Sequence, residues 1–143
     1  MDETGHGPKV NEAQSLAMRL TDRFGSAITV RVEAANPGTV DSVLTVLPRA
    51  VGAASVRIAF ARDEHSWFSL ADRFSFESDD PLALKWGVDW RFRVAEAIGM
   101  FGALSIRSIG WPKSTLPIIE SGPASLFDIP VGYELEELWR PWV

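Results

Sequence analysis

Residues 28–33, Ile28-Thr29-Val30-Arg31-Val32-Glu33, alternate apolar and polar side chains, and residues 55–60, Ser55-Val56-Arg57-Ile58-Ala59-Phe60, do the same. A period of two is the mark of a strand that buries one face and wets the other. Between them Asn36-Pro37-Gly38 breaks the chain, and Val40, Val43, Leu44 and Leu47 follow at helical spacing behind a Thr39 cap, with Pro48 setting the end. Strand, short helix and strand over this length predict a right-handed crossover that pairs 27–33 with 54–62 in parallel.

On the N-terminal side, Val10, Ala13, Ala17, Leu20 and Phe24 recur at three- and four-residue steps, which predicts a helix over 9–24. Gly25 is suited to close it in the left-handed region. On the C-terminal side, Asp63-Glu64-His65 makes a short polar connection into Trp67-Phe68-Ser69-Leu70, the pattern of a hairpin. Phe68, Leu70, Phe74 and Phe76 share one face of that third strand. Asp72 falls on the same face, so a bulge at Ala71-Asp72 is expected.

Residues 82–101 carry two patterns. Trp86, Val88, Trp90, Phe92 and Val94 alternate as in a strand, whereas Asp79-Asp80-Pro81 forms a helix-start signal and Lys85, Asp89, Arg93 and Glu96 lie on one helical face. Helix is the preferred reading, with Trp86, Trp90, Val94, Ala97 and Phe101 as its apolar stripe. Leu104 and Ile106, alternating with Ser105 and Arg107, predict a last strand. Pro112, Pro117, Pro123 and Pro130 limit residues 110–132 to short extended pieces, and Tyr133 to Arg140 is expected to be a short helix stopped by Pro141. The predicted fold is α+β: a mixed sheet of about four strands, two main helices packed on it and a short C-terminal helix. Residues 1–8 are expected to be a disordered tail and 9–143 a single domain, since 143 residues suffice for one core.

Composition narrows the chemistry. Cysteine is absent, and His6 and His65 are the only histidines, which removes thiol catalysis and thiolate metal sites and leaves imidazole chemistry little to draw on. Fourteen of the fifteen aromatic residues follow Ala59, among them all six tryptophans, so large contact area concentrates in the second part of the chain. The formal net charge is −5, and no basic stripe marks a nucleic-acid surface. The stretch from Ala97 to Ile106 is too short to span a bilayer, and the first residues lack the basic and apolar regions of a secretory signal, so a cytoplasmic protein is expected.

Phosphate-loop, RNA-clamp and nucleophile-elbow patterns fail on inspection. Gly110-Trp111-Pro112-Lys113-Ser114-Thr115 has proline where a phosphate loop needs glycine before the lysine. No catalytic, cofactor-binding or metal-ligating residues are assigned, and no cofactor is expected. What remains is recognition: aromatic anchors beside acids have the composition of an interface centre with a steering rim. The expected function is a small acidic, non-enzymatic protein-binding module that occludes a partner with a basic surface, as an immunity or antitoxin-like inhibitor or a secretion chaperone would. The candidate contact residues are Asp63, Glu64, Trp67, Asp79, Asp80, Glu134, Glu136, Glu137, Trp139 and Trp142. The alternative is a small-molecule binder or simple enzyme whose aromatic-lined pocket uses His65 with a neighbouring carboxylate.

Overall fold

A computed structural model describes residues 8–34, 40–61, 66–77, 90–110, 115–118, 129 and 131–143. Helix α1 (Pro8–Phe24) opens the fold and ends at Gly25, whose φ of +57° suits a residue without Cβ. Five strands follow in meander order: β1 (Ile28–Ala34), β2 (Val40–Pro48), β3 (Val56–Ala61), β4 (Ser66–Leu70) and β5 (Phe74–Glu77). Helix α2 (Trp90–Phe101) leads into a second, three-stranded sheet of β6 (Ala103–Ser108), β7 (Thr115–Ile118) and β8 (Tyr133–Trp139), with β6 in the middle.

The class is α+β, as the sequence predicts, but the larger sheet has five strands and every pairing between named strands in both sheets is antiparallel. The expected helix at Val40–Leu47 is strand β2. It lies between β1 and β3, so the expected parallel crossover is replaced by two antiparallel neighbours. The helical spacing there is a by-product of burial on both faces: Ser42, Leu44 and Val46 are buried on one side, while Val43 is half-buried and Thr45 buried on the other. A central strand covered on both sides loses its strict alternation. Its valines and threonine, stiff at χ1, favour the extended chain.

Two cross-strand rows run the full width of the larger sheet. Val32, Leu44, Ile58, Phe68 and Phe76 are in register, as are Val30, Val46, Val56, Leu70 and Phe74. Leu44, Val46, Val56, Ile58, Phe68 and Leu70 from these rows join Ala13, Leu16, Leu20 and Phe24 of α1 and Trp90, Val94, Ala97 and Ile98 of α2 in one core, so both helices lie on the same face. The β3–β4 hairpin expected from the sequence is present. At Ala71-Asp72 the expected bulge is a tight turn, with φ of 54° and 58° and an Arg73 N–H to Leu70 carbonyl bond of 3.2 Å. Turning the chain there removes Asp72 from the apolar face. Within α2, Trp90, Val94 and Ala97 are buried as the stripe requires; Trp86 and the rest of 82–89 lie outside the described residues.

The expected C-terminal helix is strand β8. Leu135 pairs with Ile106 and Glu137 with Ser105, leaving Glu136 as an extra bulged residue. That insertion puts Leu135 and Leu138, three positions apart, on one face of a strand, which imitates a helical stripe. Beyond β8 the chain is drawn into the core. Arg140 bonds the Gly52 carbonyl through its N–H at 2.9 Å, and Trp142, 2% exposed, donates its indole N–H to the Ala54 carbonyl at 2.9 Å and its main-chain N–H to the Gly99 carbonyl at 2.8 Å. The Trp142 ring meets Phe24 edge-on, with centroids 5.0 Å apart. A Cβ at Gly99 would come within 2.4 Å of the Phe24 ring and 2.5 Å of the Trp142 ring, so only glycine lets α2 receive both.

Replacing Trp142 by alanine removes this plug and its hydrogen bond together. Chemical denaturation is expected to show a loss of about 3–5 kcal/mol. Ser105, in the middle of β6, is fully buried and its hydroxyl has no hydrogen-bond partner among the described residues. Because an orphaned hydroxyl contributes only its desolvation cost, Ser105→Ala is expected to leave thermal stability unchanged or raise it, and a clear fall in the melting temperature would show that the hydroxyl is satisfied.

Candidate functional site

Strand β8 separates two layers. Ala103 of β6 and Trp139 of β8, directly opposite each other, belong to the main core. Leu104 and Ile106, on the other face of β6, form a separate cluster against which Tyr133 packs. Leu138 stands opposite Leu104 and Leu135 opposite Ile106, so both leucines border that cluster. They are 46% and 45% exposed. Leu135 and Leu138 share this face with Leu104 and Ile106, whereas Glu134 and Glu137, opposite Arg107 and Ser105, lie on the face that carries Trp139. The bulge then offsets the alternation by one residue.

The acids of β8 are unequal. Arg107 donates from Nε to Glu134 at 2.6 Å, and both side chains are about half exposed. Glu137 forms an ion pair with Arg73 of the β4–β5 turn, tying β8 to the larger sheet. Glu136, the bulged residue, is exposed and has no ion-pair partner among the described residues. Two of the three negative charges are therefore offset within the chain. A steering rim built only on β8 is weaker than its sequence suggests.

Trp139 is 7% exposed and Trp142 lies deeper still, so neither indole is a surface anchor; both hold the C-terminal segment to the core. A helix over this segment would set Leu135, Leu138, Trp139 and Trp142 close to one stripe, but the segment is extended and the leucines and Trp139 lie on opposite faces of it. Trp67 sits half-buried on the face of the larger sheet opposite the helices, in a row with Glu33, Val43, Ala59 and Glu77. Its strand belongs to the sheet that does not contain β8. Asp63, Glu64, Asp79 and Asp80 lie outside the described residues, as does His65, and with it the pocket expected around that imidazole.

The contact pair that the structure brings forward is Leu135 with Leu138. The sequence contained its signal, since Tyr133 and Leu135 alternate with Glu134 and Glu136 as in an edge strand, but the three-residue step to Leu138 masked it. Arg73 and Arg107 carried no local signal, because their partners are distant in sequence. Among the described residues no group of three or more histidine, cysteine or acidic side chains is placed to share a metal ion, and no helix is long and apolar enough to cross a membrane. No protein-family model matches the chain, and neither the curated proteins nor the solved structures contain a match.

The Arg107–Glu134 pair tests how firmly β8 is held by charge. Exposed pairs of this kind contribute on the order of 0–1 kcal/mol. A double-mutant cycle with Arg107→Ala and Glu134→Ala is expected to return a coupling energy in that range, shrinking as salt is added.

Proposed function

We propose that this protein is a recognition module that occludes a partner protein through the β8 margin, without bond-making chemistry of its own. The observation that carries the reading is the pair of half-exposed leucines, side by side on an edge strand and bordering an apolar cluster that is otherwise covered. A partner that covers Leu135 and Leu138 gains contact area at little conformational cost, since both are held on a hydrogen-bonded strand. Exposed Glu136, with the outer part of Glu134, favours a partner bearing basic groups around its apolar contact.

This is the geometry an immunity or antitoxin-like inhibitor, or a secretion chaperone, would use to shield a partner's surface. The scarcity of histidine and the lack of cysteine in the sequence support binding over catalysis. Affinity comes from the leucines, whereas the acids act on association rate and on the choice of partner.

A photo-crosslinking residue at Leu138 is expected to capture a discrete protein from native lysate, while the same residue at exposed Met18 of α1 does not. Leu135→Asp in the Leu138 crosslinking background should abolish that product while the melting temperature stays within a few degrees. Equal labelling from both positions, or a product that survives Leu135→Asp, would overturn the reading.

A further inference from the structure

Strand β1 is an open edge of the five-stranded sheet, and it lacks the devices that blunt the other edges. Strand β8 is interrupted by the bulge at Glu136, β7 has four residues with Pro117 among them, and β5 also has four. Bulges, proline and shortness each keep an edge from pairing with another chain. By contrast, β1 runs for seven residues and pairs with β2 without a register shift. The core rows lose their cover at this edge: Leu44 and Val46 are fully buried, whereas Val32 and Val30 beside them are only half-buried.

The hydrogen-bond phase of β1 is fixed where the strand begins. Arg49 donates its main-chain N–H to the Ala27 carbonyl at 2.9 Å, so those two residues form a hydrogen-bonded pair, and every second pair of the antiparallel ladder after them does the same. Thr29, Arg31 and Glu33 therefore turn their main-chain groups to β2. Val30, Val32 and Ala34 turn theirs outward, where no described strand meets them. Pro48 stands opposite Ile28 and has no N–H to give, in keeping with this phase. The side chains form a pattern that is self-complementary about Val32. Arg31 and Glu33 flank it on the face of the sheet opposite the helices, both exposed and neither in an ion pair among the described residues.

We infer that β1 is the surface on which this protein pairs with a second copy of itself, antiparallel and centred on Val32, joining the two larger sheets into one. In that register Val32 meets Val32 of the other copy and Val30 meets its Ala34, each through the outward main-chain groups. Arg31 stands opposite Glu33 twice, in the non-hydrogen-bonded pairs where side chains approach most closely. Neighbouring two-fold registers fail on charge, since centring on Arg31 sets two arginines opposite each other and centring on Glu33 sets two glutamates. A second copy is favoured over an unrelated strand because each chain supplies the complement of both its charges. The two-fold pairing consumes both β1 edges, so assembly stops at two. It lies in the sheet that does not contain β8, and it stands whether or not the β8 reading does.

Sedimentation velocity on the full chain over a concentration series is expected to show a monomer–dimer equilibrium. Glu33→Arg, and separately Arg31→Glu, sets like charges opposite each other at two symmetric positions and should weaken the dimer roughly tenfold. Mixing the two variants restores both attractive pairs, so the mixture should associate as tightly as the unaltered chain. Both positions are exposed, and circular dichroism checks that each variant is folded. Amide hydrogen exchange gives a second readout: Val30 and Val32 should gain protection as concentration rises, while Arg31 is protected throughout. A monomer at every concentration, a dimer indifferent to both charge reversals or lost instead with Leu135→Asp, no recovery in the mixture, or full protection of Val32 already in the monomer would each overturn the inference.

Discussion

The seat of Trp142 is the contact on which the arrangement of the whole chain depends. Its ring fills a slot between Phe24 at the end of α1, Gly99 in α2 and the turn that carries Ala54 between β2 and β3. One side chain thus joins both helices and the larger sheet. Because it follows β8 directly, it also fixes the second sheet against the first. Gly102 makes the same closure possible from the other side: with φ of +79°, it turns α2 into β6 where a Cβ would strike the Trp139 carbonyl oxygen at 2.3 Å. Close backbone approach at Gly99 and Gly102 excludes larger residues, and in exchange two large indoles leave water.

This anchoring explains why most tryptophan in the second part of the described chain works inward. Trp90 packs against Phe68 with ring centroids 5.3 Å apart, and Trp139 meets Phe74 edge-on at 5.5 Å. With the large aromatics committed to the core, the recognition proposed for β8 falls to smaller apolar groups, Leu135 and Leu138, and to charge.

On β8 internal arginines offset two of the three acids, and on the helices Glu96 is shared by Arg23 of α1 and Arg93 of α2. Neither balance follows from net charge. Both depend on which distant residues the fold sets within a few ångströms of each other.

Helix α1, the β3–β4 hairpin and the buried stripe of α2 were legible from spacing because each keeps an unbroken apolar face, and strand β6 was legible because Leu104 and Ile106 alternate with polar Ser105 and Arg107 even though Ser105 is buried as well. Strand β2 was not, since burial on both faces erased its alternation, and β8 was not, since the bulge at Glu136 set Leu135 and Leu138 at a helical interval. Of the candidate contact residues, Glu134, Glu136 and Glu137 lie on strand β8, and the leucines between them were placed by their spacing on a helix shared with Trp139 and Trp142. The order of residues determined by itself the α+β class, the poverty of reactive groups and the local elements whose periodicity is unbroken, because these rest on chemistry and near neighbours. Only tertiary packing decided the antiparallel topology, the burial of the terminal tryptophans, the pairing of Glu134 and Glu137 with arginines and that of Glu96 with Arg23, because each joins groups whose separation along the chain leaves no local trace.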